Sequence, residues 1–281
     1  MKCEFWEGSD RELAVRVYTH NIRYATTRPA KGEVLWAKRK HAVAESIRFH
    51  TTGRTSVVCL QEVLYSQLLD LLKLLGEDWD YYGVGRDDGR KAGEYAAVLY
   101  RTTQFKIELY KTVWLSETPE VPGKGWDAAS VRVLTIVLFR HKASGRNLYV
   151  LNTHLDDQGR VARAEGAELI CNIISSLEDP HTLVLAGDLN SEPNQEAYPV
   201  LAKALADGRH APGVHLYGDD NTFTGFDDTT RRKRIDYVFA DPSLVVENYA
   251  VLPNRFDDGM WTSDHRPVIA DVIVKGKVNR V

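Results

Sequence analysis

The chain has 281 residues, of which 43% are hydrophobic and 27% charged, with a formal net charge of −3. That balance allows a sizeable core and excludes an intrinsically disordered chain and a chain drawn to nucleic acid by its overall field. Three cysteines without CxxC spacing, Cys3, Cys59 and Cys171, argue against a disulfide framework and a structural zinc site. Residues 1–15 hold no apolar signal-peptide core, and no run reaches the roughly 20 apolar residues of a membrane span. A soluble intracellular protein is expected, and loss of a targeting segment would leave secretion open.

The first strand is expected over LAVRVYTH (13–20). Leu35, Val43 and Ile47 repeat at helical spacing and predict a helix over 33–50. SVVCLQE (56–62) predicts a second strand, the Leu-rich stretch 65–75 a second helix, and YAAVLYR (95–101) a third strand. VRVLTIVLFRH (131–141) and NLYVLNTHL (147–155) flank the turn SGRN and predict an antiparallel hairpin. A helix over 160–177 would place Val161, Leu169, Ile173 and Leu177 near one face, with Cys59 and Cys171 buried in apolar segments. TLVLAGD (182–188), RIDYVFA (234–240) and PVIADVIV (267–274) complete the expected strands. No linker or repeat interrupts this mixed α/β pattern, so residues 1–281 read as one domain with its core at about 13–275.

Several of these runs end in the same kind of residue. Asn21 closes the first, Glu62 the second, and Asn152, His154 and Asp156 the run from 147; Asp188 and Asn190 close the run from 182, and Asp264 and His265 stand just before the last. Such groups at strand ends suit an active site along one sheet edge. Each has a structural alternative. Glu62 would serve as a first-turn carboxylate of the helix near Tyr65, Asp188 and Asn190 as an Asx-turn, and Asn21 as a turn residue. His154 would be a satisfied core histidine and Asp236 a partner of Arg234. Their joint occurrence favours a site. Glu62, Asp188, Asn190 and Asp264 together offer hard oxygen ligands, suited to Mg²⁺ or Mn²⁺ rather than zinc. Their spacing fits no local cation loop, so the fold has to gather them.

CLQE (59–62), NTHL (152–155), GDLN (187–190), RIDYVF (234–239) and SDHRPV (263–268) occur in an order that resembles the endonuclease/exonuclease/phosphatase superfamily. The resemblance covers roughly residues 13–275. It implies an α/β fold of the DNase I type, a four-layer sandwich of two facing, mostly antiparallel β-sheets flanked by helices, with the active site at one edge. It also implies Mg²⁺-dependent hydrolysis of a phosphate ester. By the same resemblance Glu62 is the principal metal ligand, Asn21 supports it, and Asp264 is a carboxylate near the metal. Asp188 and Asn190 position the attacking water and the phosphate, and Asn152 joins the substrate-binding residues. Asp236 and His265 form a dyad, and His154 protonates the leaving oxygen. Whether His265 or Asp188 is the base stays open.

GVGRDDGRKAGEY (83–95) is a Gly-rich loop whose Arg86, Arg90 and Lys91 are candidates for phosphate contact, without the order of a P-loop. With residues 115–132 it resembles a microbial branch of the superfamily, which implies that Arg86, Glu94 and Trp126 lie near the pocket. A solvated loop and a core tryptophan are the alternative. The cluster TRRKR (230–234) would track a phosphate backbone or form a solvated face, and Phe223 and Trp261 would stack on a base or simply pack. The leading functional expectation is a phosphodiesterase or nuclease acting on nucleic acid. The alternative is a phosphomonoesterase for a small metabolite such as an inositol or sugar phosphate. A catalytically inactive binding module would have lost Glu62 or the dyad, and both are present. No membrane association and no obligate protein partner are expected.

Overall fold

The computed structural model describes residues 12–178 and 182–275; Cys3 lies outside them. The chain begins with β1 (Leu13–Asn21), α1 (Trp36–Thr51), β2 (Ser56–Val63), α2 (Tyr65–Leu75), β3 (Trp79–Tyr82) and β4 (Tyr95–Arg101). It continues with β5 (Phe105–Trp114), β6 (Val133–His141), β7 (Asn147–His154), α3 (Arg160–Ser176) and β8 (Leu183–Asp188). The last part holds α4 (Ala197–Ala204), β9 (Ala206–Asp207), β10 (His215–Gly218), β11 (Asp236–Ala240), β12 (Val245–Val251) and β13 (Val268–Val274).

Period-two alternation in the central strands assigns each side chain to a layer. Val15 and Val17 of β1, Val57 and Cys59 of β2, Val184 and Ala186 of β8 and Val238 of β11 meet in one core. Tyr18, Val58 and Leu60 face the other way, onto Val43 and Ile47 of α1 and Leu68 and Leu71 of α2. Leu183 and Leu185 pack with Ile170 and Ile174 of α3 and Leu201 of α4. The layers are therefore helices, sheet, sheet, helices. One sheet runs β10-β12-β13-β1-β2-β4-β3 and the other β5-β6-β7-β8-β11-β9. Only β1/β2, β7/β8 and β10/β12 are parallel pairs, so the sandwich is mostly antiparallel, as expected.

The predicted hairpin is present, with β6 and β7 antiparallel and Gly145 at φ 70° in its turn. Other details differ. Leu35 and Val161 are 48% and 50% exposed. Helix α3 buries Ala162, Arg163, Gly166, Ala167, Ile170 and Ile174, and the expected Leu169, Ile173 and Leu177 lie partly buried beside them on the same core. Cys59 is buried, but Cys171 is only half-buried. No described helix is long and apolar enough to cross a membrane.

Candidate active site

Strand direction explains where the polar residues collect. At one edge of the sandwich β1, β2, β7 and β8 end, while their antiparallel partners β4, β6, β11 and β13 begin. Asn21, Glu62, His154 and Asp188 therefore close strands, whereas Glu94, Arg132, Asp236 and the Asp264–His265 pair open or precede them. The ladder adds register: Asp188 stands beside His154 on one flank and Asp236 on the other. Residues far apart in sequence are thus brought together around a cavity of about 490 Å³.

On one side of this cavity lie Glu62 and Asp264. Glu62 sits where the β2–β4 register shifts, at φ 58°, a conformation that a non-glycine residue holds only when its surroundings impose it. Asn21 Nδ2 donates to Glu62 Oε1 and to Asp188 Oδ2, each at 3.0 Å, and the Tyr24 amide donates to Glu62 Oε2 at 3.2 Å. Glu62 is thus no cap of α2; Gln67 takes that part by accepting from the Leu64 amide. Burial raises the Asp264 carboxyl, and the nearby charge of Glu62 raises it further. Crowded carboxylate oxygens of this kind fit a hard divalent cation, which would offset their repulsion. Asn21 itself is fully buried and does not line the cavity, in keeping with a support behind Glu62.

Asp188 is the hub. The Asn190 amide donates to its Oδ1 at 2.8 Å, closing an Asx-turn with Asn190 at φ 46°, so the structural alternative and the site coexist. His154 Nε2 and His265 Nε2 lie 3.5 and 3.7 Å from Asp188 Oδ2. Burial and the adjacent Asp236 push Asp188 up to about 7. His265 Nδ1 is 2.8 Å from Asp236 Oδ2, and this bond is the dyad. Burial opposes the His265 imidazolium, but Asp236, Asp188 and Asp264 outweigh it and raise the group to about 10. Ligand atoms of Asp188, Asp236 and His265 all lie within 4.8 Å of one another. The Asp236–His265 distance is that of a charge-assisted hydrogen bond, and Asp236 Oδ1 is left without a partner among the described residues, whereas both oxygens of Asp188 accept hydrogen bonds.

His154 has a different character. Asn190 Nδ2 donates to the Leu155 carbonyl and lies 3.0 Å from His154 Nε2, so Nε2 accepts and the ring proton sits on Nδ1. Burial, Arg132 and Arg86 hold His154 well below the usual histidine range. It is a neutral imidazole, and the expected role of protonating the leaving oxygen needs a proton that the free site does not give it.

Arg86, Glu94 and Arg132 also line the cavity, with Glu94 just before β4, beside the end of β2 that carries Glu62. Arg86 Nη1 and Nη2 meet Glu94 Oε2 and Oε1 at 2.7 and 3.1 Å. Burial and the charge of Glu62 push Glu94 up to about 7. Arg132, which the sequence reading passed over as part of a strand, donates from Nε to Asp156 at 3.2 Å and from Nη2 to Asp157 at 2.8 Å. Asp156 also accepts from the amides of Ala129, Ser130, Gln158 and Gly159. Arg23, Tyr24, Ser130 and Asp157 are further lining residues that the sequence did not single out.

Three expectations need correction. Asn152 is fully buried beneath the cavity, where its amide donates to the Leu60 and Ala97 carbonyls and its oxygen accepts from Gln61; it ties the sheets together and does not touch the pocket. Trp126 does not line the cavity; its amide is held by Glu117 and its φ is 51°. Arg90 and Lys91 are exposed, Lys91 over the Tyr65 ring at 4.5 Å, which leaves Arg86 as the loop's contribution. Phe223 lines the cavity edge-on to His265, with ring centroids 5.1 Å apart, while Trp261 is buried under Arg255.

Comparison with known proteins agrees with this geometry. The model of the Endonuclease/Exonuclease/phosphatase family matches residues 18–265. A family protein from Bacteroides thetaiotaomicron is 31% identical, with a TM-score of 0.85, over 94% of this chain and 99% of its own. A mannosyl-6-phosphatase from the same organism is 32% identical, with a TM-score of 0.84, over 92% of this chain and all of its own. TDP2 from D. rerio, in complex with a single-strand DNA product, shares the fold at 19% identity and a TM-score of 0.66, over 93% of this chain and 98% of its own. No curated protein sequence matches the chain. The strand-end site, the family match over most of the chain and these relatives lead to one conclusion: the chain belongs to the endonuclease/exonuclease/phosphatase family and is a hydrolase of phosphate ester bonds.

Proposed function

We propose that the protein is a divalent-cation-assisted phosphomonoesterase for a small phosphorylated sugar or polyol. The observation that carries this reading is the bidentate Arg86–Glu94 pair in the cavity that Glu62 and Asp264 also line. Such a pair offers a fixed donor beside a fixed acceptor, which matches a hydroxyl group. A groove for polynucleotide would need unmatched cations there, whereas Arg86 and Arg132 are paired with Glu94, Asp156 and Asp157, whose charges would repel a second phosphate. The basic cluster at 230–234 gives the nuclease reading little support. Arg231 is paired with Glu192 at 3.0 Å, and Arg234 is buried against Asp207 at 2.5 Å. The relative named as a mannosyl-6-phosphatase is consistent with the choice.

In this reading Glu62 and Asp264 would hold Mg²⁺, or Mn²⁺ in its place, with Asn21 bracing Glu62 from behind. When bound, the cation polarises the phosphoryl group and offsets its charge. Asp188, with its carboxyl near neutrality, accepts the proton of the attacking water while Asn190 helps to hold that water and the phosphate. His265 enters turnover already protonated, so it serves as a hydrogen-bond donor to a phosphoryl oxygen rather than as the base, and Asp236 stabilises its charge. Attack forms the new P–O bond in line with the bond that breaks. The departing alkoxide takes its proton from solvent and Asp188 returns the proton of the attacking water to solvent, so water and ester become alcohol and inorganic phosphate.

The test sets hexose 6-phosphates and inositol phosphates beside a single-stranded oligonucleotide, with Mg²⁺ or EDTA, and with His265→Ala as control. Phosphate release from a small ester, lost with EDTA and in the variant, is the expected result. Faster cleavage of the oligonucleotide would overturn the proposal in favour of a nuclease.

A further inference from the structure

We infer that His20, buried behind the site on β1, is a positioning residue for His265. His20 is 1% exposed, and its Nε2 lies 3.1 Å from the backbone carbonyl of His265. A carbonyl only accepts, so Nε2 carries the ring proton and Nδ1 is left as the acceptor. Tyr18 Oη supplies the hydrogen for Nδ1 at 3.4 Å, and Ser46 Oγ lies 3.1 Å beyond it. This buried chain starts on α1 and ends at the peptide of His265, away from the cavity wall.

The other half of that peptide environment is tied to the same strand. The His265 amide donates to Ser263 Oγ at 3.2 Å, and Ser263 Oγ donates to the Asn21 carbonyl at 2.6 Å. Both backbone groups of His265 therefore answer to β1, the strand that carries Asn21. An imidazole that must meet Asp236 and a phosphoryl oxygen together tolerates only about 0.5 Å of error. The dyad bond fixes one ring nitrogen; the carbonyl clamp fixes the Cα from which the ring hangs. Removing the His20 donor would leave a buried carbonyl without its partner and let the 262–266 segment shift.

The inference rests on His265 acting in turnover, and that premise fails separately if His265→Ala keeps the wild-type rate. The experiment is a double-mutant cycle, with steady-state kinetics on p-nitrophenyl phosphate and a hexose 6-phosphate. His20→Leu is expected to lower kcat 10- to 100-fold with KM within twofold, and to cost less than threefold further in the His265→Ala background. His20→Gln, whose amide nitrogen reaches the Nε2 position, should recover the rate to within fivefold of wild type. His20→Asn, which is too short, should resemble His20→Leu, so the Gln–Asn contrast decides the matter even if the leucine variant fails to fold. Equal costs of His20→Leu in both backgrounds, or equal rates for the Gln and Asn variants, would overturn the inference.

Discussion

The side-chain amide of Asn21 lies 3.0 Å from Oδ2 of Asp188, a bond that crosses from one sheet to the other at the active edge. The same nitrogen donates to Glu62, so one residue sets the spacing between the metal-side and water-side carboxylates. Asn21→Ala is expected to destabilise the fold by about 1–3 kcal/mol, since it removes the buried donor to Oδ2 of Asp188 and to Glu62. It should also lower kcat at least 10-fold at a fixed Mg²⁺ concentration. Denaturant unfolding with kinetics checks both; wild-type values for either would remove Asn21 from the account.

Divalent cation should stabilise the protein in a pH-dependent way. Asp188 is raised in the folded state to about 7, so the metal-free fold loses stability as pH rises from about 4 through about 7 and the buried carboxyl ionises. A cation held by Glu62 and Asp264 offsets the charge of the ionised Asp188 nearby. Thermal unfolding with saturating MgCl₂ should therefore show its largest gain above pH 7, about 2.7 kcal/mol at a hundredfold excess over Kd, and little gain at pH 5. A gain independent of pH would uncouple cation binding from the ionisation of Asp188.

Glu94→Gln keeps the shape of the Arg86 partner but removes its charge. For a hexose 6-phosphate kcat/KM should fall about 10- to 100-fold, or about 1.4–2.7 kcal/mol. For p-nitrophenyl phosphate, which has no sugar hydroxyls, the loss should stay within threefold. Equal losses on both substrates would remove Glu94 from leaving-group recognition.

Arg234→Ala distinguishes a folding cation from a nucleic-acid contact. Arg234 and Asp207 form a buried pair at 2.5 Å, and breaking it should cost roughly 3 kcal/mol because buried Asp207 loses its cation while keeping the hydrogen bonds from Tyr198 and the Arg209 amide. KM for a small phosphate ester should not change at a temperature where the variant is folded. A raised KM with unchanged stability would restore a substrate role to the cluster.

Asp156 should report acid sensitivity. Burial opposes its charge, but the amides of Gly159, Ala129 and Ser130 together with Arg132 outweigh burial and bring it down to about 2. A lowered carboxyl stabilises the fold fully above its unfolded value near 4, and that contribution is lost as pH falls towards 2. Asp156→Asn is thus expected to cost about 2 kcal/mol at pH 7 and almost nothing at pH 2. Comparing denaturant midpoints at several pH values reads this difference directly.

The sequence disclosed the buried strands and the residues at their ends. Runs such as SVVCLQE and TLVLAGD face apolar layers on both sides, so they lack polar interruptions and stand out. The edge strand β5, FKIELYKTVW, escaped because Lys106, Glu108 and Lys111 on it face solvent. In β12, Glu247 sits at a register shift and breaks the alternation. Short α4 carries Pro199 and gives little periodicity. At the site the carboxylates and histidines were legible from their segments, and the Asp236–His265 dyad followed from the resemblance. Other partners were not legible: Asn152 serves the backbone rather than the substrate, because three-dimensional register decides partnership. Arg132 looked like the start of a strand, and only the cavity beside it marks it as a wall.

Strand β13 lies between β12 and β1, in the interior of its sheet. Synthesis therefore delivers the centrepiece late: a nascent chain that has emerged only as far as Ala240 has every residue of the cavity's Arg86–Glu94 wall but neither His265 nor the strand that closes the gap beside β1. Until then β1 presents an open edge that invites wrong pairing. Catalytic competence and protection of that edge arrive in the same event, so ribosome-bound intermediates of this chain should be inactive and chaperone-dependent together.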